Sequence, residues 1–132
     1  MTSLTLRTSA RCEMIDITAL IAEEVRKSGI KDGFCHLFIP HTTAAITINE
    51  NADPDVPRDI LAALDRIIPL SDRYRHAEGN AAAHVKASLF GTSQTVFIND
   101  GRLVLGTWQS LFFCEFDGPR TRKVLVRLDA GS

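Results

Sequence analysis

The feature of this sequence that most constrains its fold is a short segment that is apolar at nearly every position. The run GFCHLFIP, residues 33–40, contains one polar side chain, His36, and is too short for a typical helix. It is rich in Phe and Ile and is bounded by Gly33 and Pro40, which predicts a strand at the centre of a sheet. His36 is therefore expected to be a hydrogen-bonded core group, and AAITIN, residues 44–49, is expected to pair with this strand.

Three segments have the pattern of helices. Residues 16–29 carry apolar side chains at helical spacing and end in a glycine that can stop a helix. PDVPRDILAALDRIIP, residues 54–69, places its apolar residues on one stripe. GNAAAHVKASLF, residues 79–90, is rich in alanine, the best helix former, and Asn80 can cap it. We therefore predict about three helices.

The last forty residues are typical of strands joined by tight turns. NDG at 99–101 and DGP at 117–119 separate the runs QTVFI, RLVLG, WQSLFFCEF and TRKVLVRL. With a half-buried strand at residues 4–7, the predicted order is β-α-β-β-α-α-β-β-β-β. This order indicates an α+β fold with mostly antiparallel sheets, in a single domain covering residues 1–132.

The composition argues against several classes of protein. Fifteen basic and sixteen acidic side chains give a net charge of −1, and no basic-aromatic stripe is present, so nucleic acid is not an expected partner. No apolar stretch approaches the roughly 18 residues of a membrane span, and the amino terminus lacks the pattern of a secretory signal. Three widely spaced cysteines without a CxxC motif indicate reduced thiols. A cytoplasmic protein that does not bind membranes is expected.

Three histidines, His41, His76 and His84, lie in polar surroundings. Three imidazoles that leave one coordination position open are a known catalytic zinc arrangement, so a divalent metal, zinc or magnesium, is a candidate cofactor. Their spacing matches no short metal signature, and ordinary surface or capping hydrogen bonds are the alternative. The sequence leaves both interpretations open.

Two carboxylates are candidate general bases, and Glu50 is alternatively a candidate metal ligand. Glu50 has the same strand parity as the apolar isoleucines of AAITIN, which predicts that it faces inward. Glu115 lies on a partly apolar strand face, where an unpaired carboxylate is costly. Arg120 and Arg122 follow the next turn and could either form an ion pair with Glu115 or hold a phosphate group.

Three long blocks of the sequence resemble a known family. HTTAAITINENADPDVPRDI, HAEGNAAAHVKASLFG and LGTWQSLFFCEFDGPRTRKVLV resemble the YjbQ-like family, also called secondary thiamine-phosphate synthase enzymes. The resemblance covers nearly the whole chain in the same order. It implies a small α+β domain that assembles as a homotrimer, with the polar motifs in a cleft near the subunit interface. It also implies a weak transferase activity that joins a pyrimidine diphosphate to a thiazole phosphate and releases pyrophosphate.

The family motifs fall on the residues already singled out and add others. The expected roles are candidate catalytic bases, Glu50 and Glu115; metal ligands, His41, His76 and His84; and substrate-binding residues, Asn51, Asn80, Trp108, Gln109, Asp117, Arg120 and Arg122. The expected ligand is a small anionic metabolite. Because the chain lacks a GxxxxGK[ST] phosphate loop, the synthase activity can be secondary. The alternative is a non-catalytic trimer that binds a metal or an anionic metabolite.

The two ends of the first motif cannot easily meet within one chain. His41 and Glu50 bracket a predicted strand, and an extended segment of that length spans roughly 30 Å at about 3.3 Å per residue. The sequence therefore predicts a site shared between subunits, with His41 from one chain and Glu50 from the next.

Overall fold

The chain forms two antiparallel sheets and three helices. The computed structural model describes residues 1–131, so Ser132, the last residue of the predicted domain, lies outside the described residues. The elements in chain order are β1 (Thr2–Arg7), β2 (Glu13–Asp16), α1 (Thr18–Ser28), β3 (Asp32–Phe38), β4 (Ala44–Glu50), α2 (Asp55–Ile67), α3 (Ala81–Phe90), β5 (Ser93–Asn99), β6 (Arg102–Leu103), β7 (Gln109–Glu115) and β8 (Thr121–Ala130). The predicted α+β fold with three helices is confirmed. The short strand β2 is an addition to the predicted elements.

The strands divide between a five-stranded sheet, β1-β8-β3-β5-β6, and a three-stranded sheet, β2-β7-β4. β3 is central in its sheet, as predicted, but the predicted pairing of β3 with β4 is wrong. β4 pairs with β7 instead. The physical reason is that β4 is apolar on both faces: Ala45 packs in one core and Ile46 in the other. Such a strand fits the sheet that is covered on both sides.

Two hydrophobic cores hold these layers together. The first lies between the two sheets and includes one face of α1. The second lies between the three-stranded sheet and helices α2 and α3. β7 contributes to both, since Leu111 and Phe113 face the first core while Phe112 and Cys114 face the second. The layer order is therefore five-stranded sheet, three-stranded sheet, then the helix pair.

The five-stranded sheet is covered on one face only. In β3, Cys35 and Leu37 point into the first core and are almost fully buried. The alternate residues Phe34 and Phe38 point to the other face and are 42% and 47% exposed, and Phe97 of β5 is 60% exposed. We call this surface the outer face. In one chain it presents an apolar surface to solvent.

His36 also lies on the outer face, so the prediction that it is a core group is wrong. Its Nδ1 lies 3.1 Å from Thr95 Oγ1, and its Nε2 lies 3.3 Å from Asp129 Oδ2. His36 therefore makes hydrogen bonds, as expected, but makes them on an exposed surface rather than in the core. The reason is strand alternation, which turns every second residue of β3 away from the core.

The helix ends follow local chemistry. Asp16 Oδ1 accepts a hydrogen bond from the N–H of Thr18 at 2.9 Å, at the start of α1. Gly29 ends that helix with φ of +71°, a conformation that glycine adopts without strain. None of the helices within residues 1–131 is long and apolar enough to cross a membrane.

Candidate functional site

A buried ion pair lies at the end of β7. Arg122 donates from Nε to Glu115 Oε1 at 2.9 Å and from Nη2 to Oε2 at 2.5 Å. Thr8 Oγ1 donates to Oε1 at 2.8 Å, and the N–H of Asp117 donates to Oε2 at 3.0 Å. Glu115 is fully buried and Arg122 almost so. Of the two candidate partners for Glu115, the structure shows Arg122, whereas Arg120 pairs with Asp117.

These contacts argue against the predicted role of Glu115 as a general base. Burial by itself raises the pKa of Glu115, but the hydrogen bonds from Arg122 and Thr8 outweigh it and hold that pKa below its ordinary value. A buried carboxylate that is kept ionised by four donors is a poor proton acceptor and has no open path to a ligand. Its effect is to fix Arg122.

Arg122 is positioned at the wall of a cavity. Its Nη2 also donates to the carbonyl oxygen and to Oγ1 of Thr43, at 3.2 and 2.8 Å. These bonds use Nε and Nη2 and do not involve Nη1. The cavity has a volume of about 490 Å³, and His41, Thr42 and Arg120 line it together with Arg122. The protein therefore holds the guanidinium group of Arg122 in a fixed orientation beside this cavity.

His41 lines the same cavity as a neutral hydrogen-bond donor. Its Nε2 accepts a hydrogen bond from the backbone N–H of Lys123 at 2.9 Å. A neutral imidazole that accepts at one nitrogen carries its proton on the other, so Nδ1 is the donor. Burial, and then the positive charge of Arg122, lower the pKa of His41. The ring is therefore uncharged at neutral pH.

The three predicted metal-ligand histidines lie along one groove. A second cavity of about 460 Å³ shares His41, Thr42 and Thr92 with the first and adds His84 of α3. A third cavity of about 260 Å³ shares His84 with the second and adds His76. We call these three cavities, which are linked by shared lining residues, the groove. The rings of His76 and His84 meet edge to face, with centroids 5.0 Å apart.

The groove of one chain does not fit a metal ion. Within residues 1–131, no group of three or more His, Cys, Asp and Glu side chains is placed to hold one. The lone pair of His41 Nε2 is also used by the Lys123 amide, and a metal would need it. The metal cofactor, zinc or magnesium, therefore stays a prediction that requires ligands from a second chain.

Three of the predicted substrate-binding residues form one network beside the groove. Asn80 Nδ2 and Arg120 Nη2 both donate to Asp117 Oδ2, at 2.7 and 3.1 Å. Arg120 Nε also donates to the carbonyl oxygen of Asp117 at 2.9 Å. The Arg120 side chain is half exposed and lines the cavity that Arg122 lines. The network ties the start of α3 to the turn before β8 and aims a second cation at the cavity.

The remaining predicted site residues lie at the opposite end of the β4–β7 pair. They are Glu50, Asn51, Trp108 and Gln109. The register places Glu50 opposite Gln109, whereas Ala44 is opposite Glu115. A seven-residue strand spans roughly 20 Å, so this group is remote from the groove within one chain. Asn51 Nδ2 donates to Asp16 Oδ2 at 2.8 Å, and Trp108 is 64% exposed.

Some groove residues were not predicted from the sequence. Thr42 and Thr43 line the first cavity, and Tyr74 and Arg75 line the third. The HTT sequence that precedes β4 contains the signal for the first two, because hydroxyl groups next to a histidine are candidate hydrogen-bond donors.

Comparison with known proteins assigns this chain to a family. The family model described as "UPF0047 protein YjbQ-like" matches residues 2–130. This chain belongs to the YjbQ-like UPF0047 family. UPF0047 protein YugU of Bacillus subtilis is 50% identical over 127 residues, which cover 96% of the YjbQ-like chain and 96% of YugU. A UPF0047 protein of Methanocaldococcus jannaschii is 50% identical over 123 residues, covering 93% and 89% of the two chains.

Solved structures of relatives share the fold of the YjbQ-like chain. A crystal structure of a YjbQ/UPF0047 family protein from Clostridium acetobutylicum has a TM-score of 0.96 and 54% identity, covering 98% of this chain and all of that one. A structure from Sulfolobus solfataricus, described as a YbjQ-like protein of unknown function, has a TM-score of 0.94 and 35% identity, covering 98% and 96%. The family and the fold follow from these similarities.

Proposed function

We propose that the groove binds a small metabolite through a phosphate or diphosphate group. The observation that carries this proposal is the placement of Arg122, a buried cation fixed by Glu115 and Thr43 at the wall of a cavity. Arg120 adds a second guanidinium, and His41 offers Nδ1–H as a neutral donor. Guanidinium groups donate strong hydrogen bonds to phosphate oxygens, and the bonds that Nε and Nη2 make within the protein leave Nη1 of each arginine for the ligand. A preorganised group also loses little entropy on binding.

The charges around His41 favour an anion over a metal ion at this position. Burial is the largest cause of the lowered pKa of His41; the positive charges of Arg122, Arg120 and Lys123 lower it further, and the negative charge of Glu115 opposes them. Positive charges therefore outnumber negative ones around the ring. A free divalent cation would be repelled there, whereas a phosphate would be attracted. A zinc or magnesium ion fits this proposal only if bound phosphate or a second chain supplies its ligands.

The proposal includes a homotrimer whose groove is completed by a neighbouring subunit. Phe38 lies on the apolar outer face and also lines the cavity of Arg122, so the two surfaces are continuous. A subunit that covers the outer face would therefore border the groove. Glu50 is remote from His41 within one chain. In the proposed trimer, Glu50 of a neighbouring subunit reaches the groove instead.

If the groove is catalytic, its reaction is the transferase reaction that the family resemblance implies. Joining the pyrimidine diphosphate to the thiazole phosphate breaks the bond to the diphosphate, and negative charge develops on the leaving pyrophosphate. Arg120 and Arg122 are placed to stabilise such a charge. His84 and His76 would then line the part of the groove that receives the rest of the substrate.

Calorimetric titration with inorganic pyrophosphate tests the binding proposal. We expect Arg120→Gln to weaken binding at least about tenfold, because a hydrogen bond to a charged group contributes about 1.5–3 kcal/mol. Arg58→Gln is the matched control, since Arg58 is a well-exposed arginine on α2. No binding by the unaltered protein, or equal binding by the Arg120 variant, would contradict the proposal.

An assay with the pyrimidine diphosphate and the thiazole phosphate distinguishes the enzyme from the binding protein. Pyrophosphate release above the uncatalysed rate, reduced by His84→Ala and lost in Glu50→Gln, would support the transferase. Pyrophosphate binding without turnover would leave the non-catalytic trimer as the function. Turnover that is unchanged in both variants would contradict the assignment of the reaction to this groove.

A further inference from the structure

A second group of reactive side chains lies outside the groove, between α2, α3 and the β1–β2 connection. Lys86 of α3 is almost fully buried, and its Nζ lies 2.5 Å from Asp65 Oδ1 and 4.0 Å from Cys12 Sγ. The Nζ also lies 5.9 Å from the centroid of the Phe116 ring. Arg11 Nη2 lies 3.6 Å from the same oxygen of Asp65. A lysine amine and a thiol are therefore held in contact, and the proposed ligand uses neither.

Cys12 differs from the other two cysteines in its surroundings. Cys35 and Cys114 are buried in the cores, and burial raises the pKa of their thiols to about 11 and about 12. Cys12 is only partly buried. Burial raises its pKa as well, but the positive charges of Lys86 and Arg11 oppose that shift. Cys12 is therefore the thiol that an oxidant dissolved in water can reach.

We propose that dioxygen converts Cys12 and Lys86 into a covalent lysine–cysteine bridge, Nζ–O–Sγ. One oxygen atom joins the two side chains, and the other leaves as water with one hydrogen from the amine and one from the thiol. Nitrogen and sulfur each lose two electrons, and these four electrons reduce the dioxygen. The extra proton of the lysine ammonium first passes to Asp65, which is 46% exposed and returns it to solvent.

The geometry suits a bridge of one atom. The present separation of 4.0 Å allows an oxygen atom to enter after a small approach of the two side chains, which the flexible lysine stem permits. The bridge would fix α3 to the β1–β2 connection. Because α3 also carries His84, the bridge would hold one wall of the groove in place. The inference does not depend on which ligand the groove binds.

Mass spectrometry of the full chain in air-saturated buffer tests this inference. We expect the intact mass to gain one oxygen and lose two hydrogens, and digestion to yield one cross-linked peptide that contains Cys12 and Lys86. Two equivalents of a dithiol should restore the original mass. Cys12→Ser should abolish the change, whereas Cys35→Ser, if folded, should retain it.

Three outcomes would overturn the inference. They are an unchanged mass, oxygen added at Cys12 without loss of hydrogen, and a disulfide between chains. Since Lys86 is buried, the lysine is identified by the cross-linked peptide rather than by a substitution that risks unfolding. A thermal midpoint that rises by several degrees on oxidation and falls back with dithiol would support the constraint on α3. An unchanged midpoint in a bridged sample would contradict that constraint.

Discussion

Glu115 and Arg122 stabilise the fold only as a pair. We expect Glu115→Gln to lower the free energy of unfolding by about 3–5 kcal/mol, because the buried guanidinium would then lack its carboxylate. Adding Arg122→Met should restore much of the loss, since the double variant no longer buries an unpaired charge. Urea denaturation of the single and double variants measures both effects. A loss below about 1 kcal/mol in the single variant would contradict the account.

His41 should make the protein less stable as the pH falls. Its pKa is lowered in the folded state, so the unfolded chain takes up the proton first. The free energy of unfolding should therefore decrease below the ordinary histidine pKa of about 6.5, and His41→Asn should reduce this decrease. Denaturation at about pH 7 and about pH 5.5 measures the difference.

Nitrogen NMR of His41 measures the pKa of the ring and shows which nitrogen carries the proton. It should find the proton of the neutral ring on Nδ1, because Nε2 accepts from the Lys123 amide. A proton on Nε2 would show that the hydrogen bond to Lys123 is absent, and an ordinary pKa would show that the ring is not buried beside Arg122. Either result would remove His41 as an oriented donor in the groove.

For single residues, the sequence predicted a contact correctly where burial alone requires one. A carboxylate on an apolar strand face requires a partner, and this requirement led to Arg122 as a candidate partner of Glu115. The sequence could not predict the tautomer of His41, because the donor to its Nε2 is the backbone of Lys123, 82 residues away. A contact between two such distant segments leaves no local pattern in the sequence.

The turn between β7 and β8 should tolerate no side chain at Gly118. A Cβ there would lie 2.3 Å from the carbonyl oxygen of Ala10 and 2.8 Å from Glu115 Cγ. We expect Gly118→Ala to lower the free energy of unfolding by about 1–3 kcal/mol, because backbone atoms must move. Gly106→Ala is the control, since its Cβ would meet only the flexible Gln109 side chain. Equal stability of the two variants in urea would contradict this prediction.

At the scale of elements, periodicity predicted most of the secondary structure. The three helices, predicted from apolar spacing and, for α3, from alanine content, are confirmed. The pairing of β4 with β7 could not be predicted in the same way, because it joins segments more than fifty residues apart and depends on the second core. β2 has only four residues, too few for an alternating pattern to be distinctive.

At the scale of the whole molecule, the apolar outer face predicts assembly. We expect Phe97→Lys to shift the proposed trimer toward monomer, because a charge would be buried between subunits. Ile67→Lys is the matched control, since Ile67 is an exposed apolar residue on α2 and lies outside the outer face. Sedimentation equilibrium measures both variants. A trimer in the Phe97 variant, or a monomer in the unaltered protein, would contradict this prediction.

The candidate site as a whole was only partly predictable. The motifs identified residues that the structure places around one groove, including His41, His84 and Arg122. Sequence order could not show that Glu50 and Trp108 lie together at the end of the β4–β7 pair that is remote from the groove. The length of β4 did predict that Glu50 and His41 are far apart in one chain. The shared site with Glu50 from the next chain stays a prediction, since one chain contains only half of it.

The most direct test of the central claim is a crystal structure of the protein grown with inorganic pyrophosphate. The account predicts that phosphate oxygens occupy the cavity of about 490 Å³ and accept hydrogen bonds from Arg120, from Nη1 of Arg122 and from Nδ1 of His41. Pyrophosphate bound elsewhere, or a groove without it at saturating concentration, would contradict the account.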